Sequence, residues 1–338
     1  MSDEQKAPLS PEEKFEQDKI LESIFVPHAR RRRNKVYELE KLPFARFVHY
    51  TSAEAALKII TQKRLWMRNA ACMTDFREVQ HGFSILSGFF SKEEKRKAFH
   101  AAVNAVAAGA GEEAIKKFDD WWKLGTIQFK TFILSTSEHD SEEDLHGRLS
   151  MWRAFGGATG RVGLVLNVPA QSKGAEAMNL IFSPVAYFKN DKADQLVSEV
   201  VEKINANIIF LKKLSRQEII NWIFYMLLLG VTCAKHEGFR EEREWRVVHC
   251  PHLYPTPLIT PSTEIVGGVP QSVYKLPLDK TFNPILDDID FAKLFDRLII
   301  GPSPYPMAMF DAFIEALSNA GVTDASKKIF ISGIPIRS

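Results

Sequence analysis

Apolar and polar positions follow both strand-like and helix-like patterns along this chain. Stretches rich in aromatic and β-branched residues predict strands, here at residues 44–50, 126–137, 162–168, 186–188, 244–249, 298–301 and 328–332. Apolar residues spaced three and four apart predict helices, here at residues 74–82, 92–123, 148–155, 193–234 with a break near 215, and 306–320. Thr51 and Glu54 fit a capping box that starts a further helix, with Thr51 as N-cap. Because strands and helices do not strictly alternate, the pattern favours an α+β fold with mixed sheets flanked by helices.

The first forty residues differ from the rest of the chain. Ser10 followed by Pro11 is a helix-start signal. The segment continues into the basic run Arg30–Arg33, which either contacts phosphate or is solvated. We therefore predict a helical, polar and basic arm over residues 1–40. A single α+β domain follows over residues 41–338, with a helical insertion around residues 193–234.

Composition indicates an ordinary globular protein, with 45% hydrophobic and 25% charged residues among 338. The formal charge of +2 gives no reason to expect a nucleic-acid or membrane partner from charge alone. Cys72, Cys233 and Cys250 are too few and too scattered for a disulfide framework, which suits a reducing cytosol. The polar start lacks the apolar core of a signal peptide, and the apolar run Ile219–Ala234 is too short to cross a bilayer. We expect a cytoplasmic protein without a membrane partner, and its oligomeric state stays open.

Several short motifs follow one another in a recognisable order. They are Leu65-Trp66, Thr74-Asp75-x-x-Glu78, Leu134-Ser135-x-Ser137, Met151-Trp152-x-x-Phe155, Lys235 to Arg246, and Ile300-Gly301-Pro302. In this order the chain resembles an uncharacterised bacterial family catalogued as domain of unknown function 2971. The resemblance runs from about Phe44 to the C-terminus and is most specific over Phe239–Arg246. It implies an organisation of the chain but no particular reaction.

Three segments also resemble motifs of the ADP-ribosyltransferase superfamily. His49-Tyr50-Thr51 is similar to its first-strand motif, Ser135-Thr136-Ser137 to its central Ser-Thr-Ser motif, and Glu242-Arg243-Glu244 to its Glu-x-Glu motif. The resemblance implies a split sheet, NAD as substrate, and a protein or nucleic-acid acceptor. On this hypothesis the chain is an NAD-dependent enzyme of ADP-ribosyltransferase type in a bacterial stress or phage-defence system.

The chemistry of that reaction assigns roles to these residue types. Cleavage of the nicotinamide–ribose bond develops oxocarbenium character, which a nearby carboxylate stabilises. The predicted catalytic residues are Glu244, which stabilises this charge and accepts from a ribose hydroxyl, Glu242, which orients the acceptor, and His49, which donates to a ribose hydroxyl. The predicted NAD-binding residues are Thr51 for the carboxamide, Tyr50, Trp152 and Phe155 as a flat wall, Arg153 and Arg246 for the diphosphate, and Ser135 and Ser137 of the central motif. No metal is expected.

Other interpretations of the same residues remain open. Glu242, Arg243, Glu244 and Arg246 also fit a charge ladder at a strand edge, and Trp152 fits core packing. One alternative function is a non-enzymatic interaction or sensor module. Another is a metal-dependent nuclease that holds Mg²⁺ with Asp75, Glu78, Glu242 and Glu244. A zinc site is the third alternative, with ligands from Cys233, His236, His249, Cys250 and His252.

Overall fold

The structure is a computed structural model that describes residues 10–39, 43–72, 76–155, 160–188, 193–266 and 268–335. Its strands are β1 Phe44–Ser52, β2 Arg64–Asn69, β3 Phe132–Glu138, β4 Arg161–Pro169, β5 Ile181–Pro184, β6 Ala186–Phe188, β7 Ala234–His236, β8 Glu244–His249, β9 Pro261–Val266, β10 Val269–Pro277, β11 Phe295–Ile300 and β12 Ile329–Ile331. Its α-helices are α1 Pro11–Phe25, α2 Pro27–Leu39, α3 Ala53–Gln62, α4 Phe76–Phe90, α5 Glu93–Asn104, α6 Ala110–Lys123, α7 Thr126–Phe129, α8 Leu149–Ala154, α9 Lys173–Ala177, α10 Ala193–Ala206, α11 Ile208–Leu211, α12 Arg216–Thr232, α13 Phe291–Leu294 and α14 Pro306–Asn319. This mixture confirms the predicted α+β class.

Among the described residues, ten strands form one large sheet. Its main path runs β12-β11-β4-β1-β3-β2-β10-β9, and β8 joins β3 and carries β5. The pairings within it are antiparallel, except that β11 and β12 run parallel. A separate parallel pair is formed by β6 and β7. The sheet is therefore mixed, as predicted.

Strand β3 divides the sheet into two parts. Its end pairs with β1 at Ser137 and Glu138, whereas its start pairs with β2 at Phe132 and Ile133. The opposite edge of β3 is paired with β8 from Phe132 to Ser137. In the described part of the sheet, β1 and β2 therefore separate beside Ser135, and the sheet is split there.

Helices cover both faces of this sheet. One apolar cluster joins α1, α4, α5, α6, α10 and α12 to Ile133 and other strand residues. A second cluster packs α3 and α14 against Leu134 and the strands around it. Because Ile133 and Leu134 are consecutive strand residues, these clusters lie on opposite faces. None of the described helices combines the length and apolar character needed to cross a membrane.

The N-terminal arm packs against the rest of the molecule. Helix α1 begins with the predicted cap, a capping box between Ser10 and Glu13. Leu21, Ile24 and Phe25 are buried in the first apolar cluster. The basic run also contacts the protein: Arg30 pairs with Glu22, Arg31 with Glu199, Arg32 with Glu138, and Arg33 donates to the carbonyl of Phe182. These arginines are therefore engaged within the chain.

Three local predictions are corrected by the structure. Residues 126–129 form helix α7, since Gly125 adopts a left-handed backbone that starts a turn, and the strand begins only at Phe132. Helix α3 is capped by Ser52, whose Oγ accepts from the Ala55 amide, so Thr51 stays in β1. The single helix predicted over 92–123 is two helices, α5 and α6, with a turn between them. The motif residues Thr74 and Asp75 lie outside the described residues.

Candidate active site

The split in the sheet borders a cleft of about 420 Å³. A volume of this size suits a small-molecule site. Strands β1, β2 and β3 contribute walls, together with α3, the end of α8 and the turn before β8. Of the predicted site residues, the cleft is lined by His49, Tyr50, Thr51, Ser135, Ser137, Phe155, Glu242 and Glu244.

The Glu244 carboxylate is buried, with 6% of the residue exposed, yet it borders the cleft. Its Oε1 accepts from Ser135 Oγ at 2.5 Å and from Arg246 Nε at 2.9 Å. Its Oε2 accepts from Arg246 Nη2 at 3.2 Å and from Lys235 Nζ at 3.4 Å. Burial opposes ionisation, but the charges of Arg246 and Lys235 outweigh it and lower the pKa of Glu244 to about 2. Glu244 is therefore ionised at neutral pH.

Lys235 bridges the two acids of the Glu-x-Glu motif. Its side chain is 2% exposed, and its Nζ lies 2.7 Å from Glu242 Oε2 as well as 3.4 Å from Glu244 Oε2. Glu242 is the more accessible acid, with 13% of its side chain exposed. It ends a 3-10 turn over Glu237–Glu242, and Arg243 then adopts a left-handed backbone with φ of 45°. Glu242 therefore precedes β8 and does not lie on that strand with Glu244.

His49 occupies the gap where β1 and β3 separate. Its Nδ1 lies 2.9 Å from the backbone carbonyl oxygen of Ser135. Because a carbonyl only accepts, Nδ1 carries the proton and Nε2 of the neutral ring is an acceptor. Burial lowers the pKa of His49, which favours this neutral form. This form of the ring offers Nε2 as an acceptor, whereas the role predicted for His49 was that of a donor.

Ser135 connects the first and last motifs of the candidate site. Its carbonyl accepts from His49, and its hydroxyl donates to Glu244. Residues that lie nearly two hundred positions apart in the sequence are thus joined through one strand residue. The structure brings together the three residues on which the predicted site depends.

The other predicted residues at the cleft differ in their hydrogen bonding and in how far they are buried. The Tyr50 hydroxyl accepts from the Arg148 amide at 2.9 Å, and burial raises the pKa of Tyr50 to about 12. Ser137 is 2% exposed, whereas Thr51 and Phe155 are only partly buried. Phe155 follows the last residue of α8 and is one of the aromatic residues that border the cleft.

Three predicted binding residues lie away from the cleft. Trp152 is 0% exposed and its Nε1 donates to the His146 carbonyl, so it belongs to the core beside Tyr50. Arg246 is 3% exposed, and its guanidinium contacts Glu244 and the carbonyl of Thr232. Arg153 is exposed but does not border the cleft. None of these three side chains lines the cleft.

Of the four acids named for the magnesium alternative, Asp75 lies outside the described residues. Within the part of the chain that the structure describes, no group of three or more His, Cys, Asp or Glu residues is arranged to hold a metal ion. Glu242 and Glu244 already have cationic partners, with which Mg²⁺ would compete.

Three residues that support the site were not predicted from the sequence. They are Lys235, Tyr187, whose hydroxyl accepts from the Glu244 amide at 2.7 Å, and Arg148, which donates to the carbonyls of Glu241 and Glu242 at 3.0 and 3.1 Å. Lys235 had a sequence signal, since a single lysine directly after the apolar run up to Ala234 is a candidate for a buried charge. No such sequence signal marks Tyr187 or Arg148, because the groups that they contact at the site lie far away in the sequence.

Comparison with known protein families finds a match to part of the chain. Residues 151–247 match the model of a family described as "Protein of unknown function (DUF2971)". The matched range includes the motif at Met151–Phe155 and the segment from Lys235 to Arg246, whereas Ser135 and His49 lie outside it. No curated protein and no solved structure matches the chain. Over residues 151–247, the chain is therefore similar to a protein family whose function is unknown.

Proposed function

We propose that this protein is an enzyme of ADP-ribosyltransferase type that uses NAD as its substrate. The observation that carries the proposal is the hydrogen-bonded chain from His49 through Ser135 to Glu244 at a cleft beside a split in the sheet. An ionised carboxylate at such a position stabilises positive charge on a ribose ring. The resemblance of three sequence motifs to this superfamily supports the same assignment.

The proposed step exchanges one bond at the anomeric carbon of the ribose. The bond to the nicotinamide nitrogen breaks, and its electron pair leaves with neutral nicotinamide. A nucleophile of a protein or nucleic-acid acceptor forms the new bond to that carbon and loses a proton. We assign the uptake of this proton to Glu242, since it is more exposed than Glu244 and ends the turn beside it.

A ribose can contact the Glu244 carboxylate only if one of the groups that now donate to this carboxylate moves away. Four donor contacts already occupy the carboxylate, and the longest is that from Lys235 Nζ at 3.4 Å. If Lys235 withdraws from Glu244, it keeps its shorter contact of 2.7 Å to Glu242. A ribose hydroxyl therefore replaces Lys235 at Oε2, while Ser135 and Arg246 keep the carboxylate in position.

The test is nicotinamide release from NAD by the wild type and by the variant Glu244→Gln. The amide retains the shape of the side chain but loses the charge, so we expect the rate to fall by about 100-fold or more. Glu241→Gln is the matched control, because Glu241 is exposed and lies outside the cleft. Thermal unfolding of each variant reports whether the fold is retained.

Glu244→Gln removes a buried charge and can unfold the protein, so Ser135→Ala provides a second test. This variant deletes one of the two donors to Oε1 without removing a charge, and we expect slower nicotinamide release from a folded protein. If the wild type releases no nicotinamide from NAD with protein or nucleic-acid acceptors present, the proposal is wrong. A non-enzymatic interaction module then becomes the better interpretation.

A further inference from the structure

A second group of residues borders the same cleft, on the β2 side of the split. It consists of Lys58 from α3 and Arg68 from β2, which we call the cationic group, together with Trp66 from β2. None of these residues belongs to the predicted site. The cleft therefore has the acids Glu242 and Glu244 near β8, the cation Arg68 in β2, and the ion pair of Lys58 with Glu54 in α3.

The strand register relates the cationic group to Ser135. Arg68 lies opposite Ile133, which precedes Ser135 in β3 by two residues. Alternate residues of a strand point to the same face, and two residues span about 7 Å. Arg68, Ile133 and Ser135 therefore share one face of the sheet.

The charge of Arg68 has no carboxylate partner among the described residues. Its Nε donates to Gln271 Oε1 at 3.3 Å, and its Nη2 donates to the carbonyl of Cys72 at 2.9 Å. Both acceptors are neutral, and together they fix the plane of the guanidinium. The remaining N–H groups suit a bidentate contact with phosphate oxygens.

Lys58 adds a second positive charge to the same wall. Its Nζ lies 5.6 Å from the centre of the Trp66 ring and 2.8 Å from Glu54. The Glu54 side chain is 77% exposed, and exposed ion pairs of this kind hold their partners weakly. Lys58 can therefore turn toward an anion in the cleft at little cost.

We propose that Arg68, assisted by Lys58, binds the diphosphate of a dinucleotide whose ribose lies at Glu244. The substrate class is then a nicotinamide dinucleotide and not the nicotinamide riboside alone. Arg68 takes the role that the sequence had suggested for Arg153 and Arg246. The assignment of the ribose position rests on the proposed function, whereas diphosphate binding at Arg68 can be measured without any turnover.

The experiment measures binding of ADP-ribose, which has the diphosphate but no nicotinamide bond to cleave. Calorimetry compares the wild type, Arg68→Gln and the control Arg64→Gln. Arg64 lies on the same strand but next to Phe282 and outside the cleft, so its loss should not change binding. We expect Arg68→Gln to weaken ADP-ribose binding by about tenfold or more, as for the loss of one charge-assisted contact. Thermal unfolding checks that both variants are folded.

The outcomes separate this inference from the proposed function. Equal affinity of ADP-ribose for the wild type and Arg68→Gln overturns the inference, as does a failure of the wild type to bind ADP-ribose. If Arg68→Gln weakens ADP-ribose binding but NAD is never turned over, the diphosphate site stands and the proposed reaction fails. If Arg68→Gln slows nicotinamide release from NAD more than from nicotinamide riboside, both are supported.

Discussion

At the scale of single residues, the candidate site depends on buried charges that neutralise one another. Glu244 and Glu242 lie against Lys235, and Arg246 contacts both oxygens of Glu244. Removal of one partner from a buried pair leaves an uncompensated charge and costs about 3–5 kcal/mol. The same contacts that keep Glu244 ionised therefore also stabilise the fold.

This arrangement predicts how stability depends on pH. The pKa of Glu244 is about 2 in the folded protein, against an ordinary value of 4.5, so its ionised form stabilises the fold at neutral pH. That contribution is present above pH 4.5 and is lost as the pH falls toward 2. The difference in free energy of unfolding between the wild type and Glu244→Gln should therefore be largest near neutral pH and shrink in acid. Urea unfolding at a series of pH values measures it, and a difference independent of pH contradicts the assignment.

At the scale of elements, one arginine connects the segments on either side of the site. Arg148, the residue before α8, donates to the carbonyls of Glu138, Glu241 and Glu242 and contacts the Glu143 carboxylate. These bonds join the end of β3 to the turn that precedes β8. The position of Glu242 relative to Ser135 thus depends on a residue outside the cleft.

We expect Arg148→Lys to destabilise the protein, because an ammonium cannot reproduce the forked contacts of the guanidinium. The loss of several bonds to buried acceptors should lower the free energy of unfolding by about 2–4 kcal/mol. Arg153→Lys, at an exposed position in α8, should change the free energy of unfolding by less than about 0.5 kcal/mol. Urea midpoints compare the two variants, and similar values for both would show that Arg148 does not connect these segments.

The sequence predicted elements well where the signal was local. The cap at Ser10 and the strand from Glu244 to His249 follow from neighbouring residues, and both are present. Helix α7 was missed because apolar residues near Phe129 look strand-like, while its start depends on the backbone of Gly125. The contacts of Arg148 and Lys235 could not be predicted, since the fold decides which distant groups they meet.

At the scale of the whole molecule, the N-terminal arm contributes to the core that supports the sheet. Phe25 of α1 is 1% exposed and stacks on Trp222 of α12, with 6.1 Å between the ring centres. Ion pairs from the basic run attach the arm at further points, including Arg32 to Glu138 at the end of β3. The arm is therefore held by both apolar and charged contacts.

Phe25→Ala should lower the free energy of unfolding by about 3–5 kcal/mol, the usual cost of such a truncation in a packed interior. Ile20→Ala is the control in the same helix. Because Ile20 is 41% exposed, its truncation should lower the free energy of unfolding much less. Denaturant unfolding with circular dichroism detects the difference. Equal effects would show that the arm is not part of the cooperative unit.

The divided edge of β3 has a consequence for the width of the cleft. Where two strands pair, backbone hydrogen bonds set their spacing at about 4.8 Å, whatever the side chains are. Beside Ser135 the imidazole of His49 takes the place of a neighbouring backbone. The aperture at that point is therefore determined by a side chain, so a change at position 49 alters its size as well as its polarity.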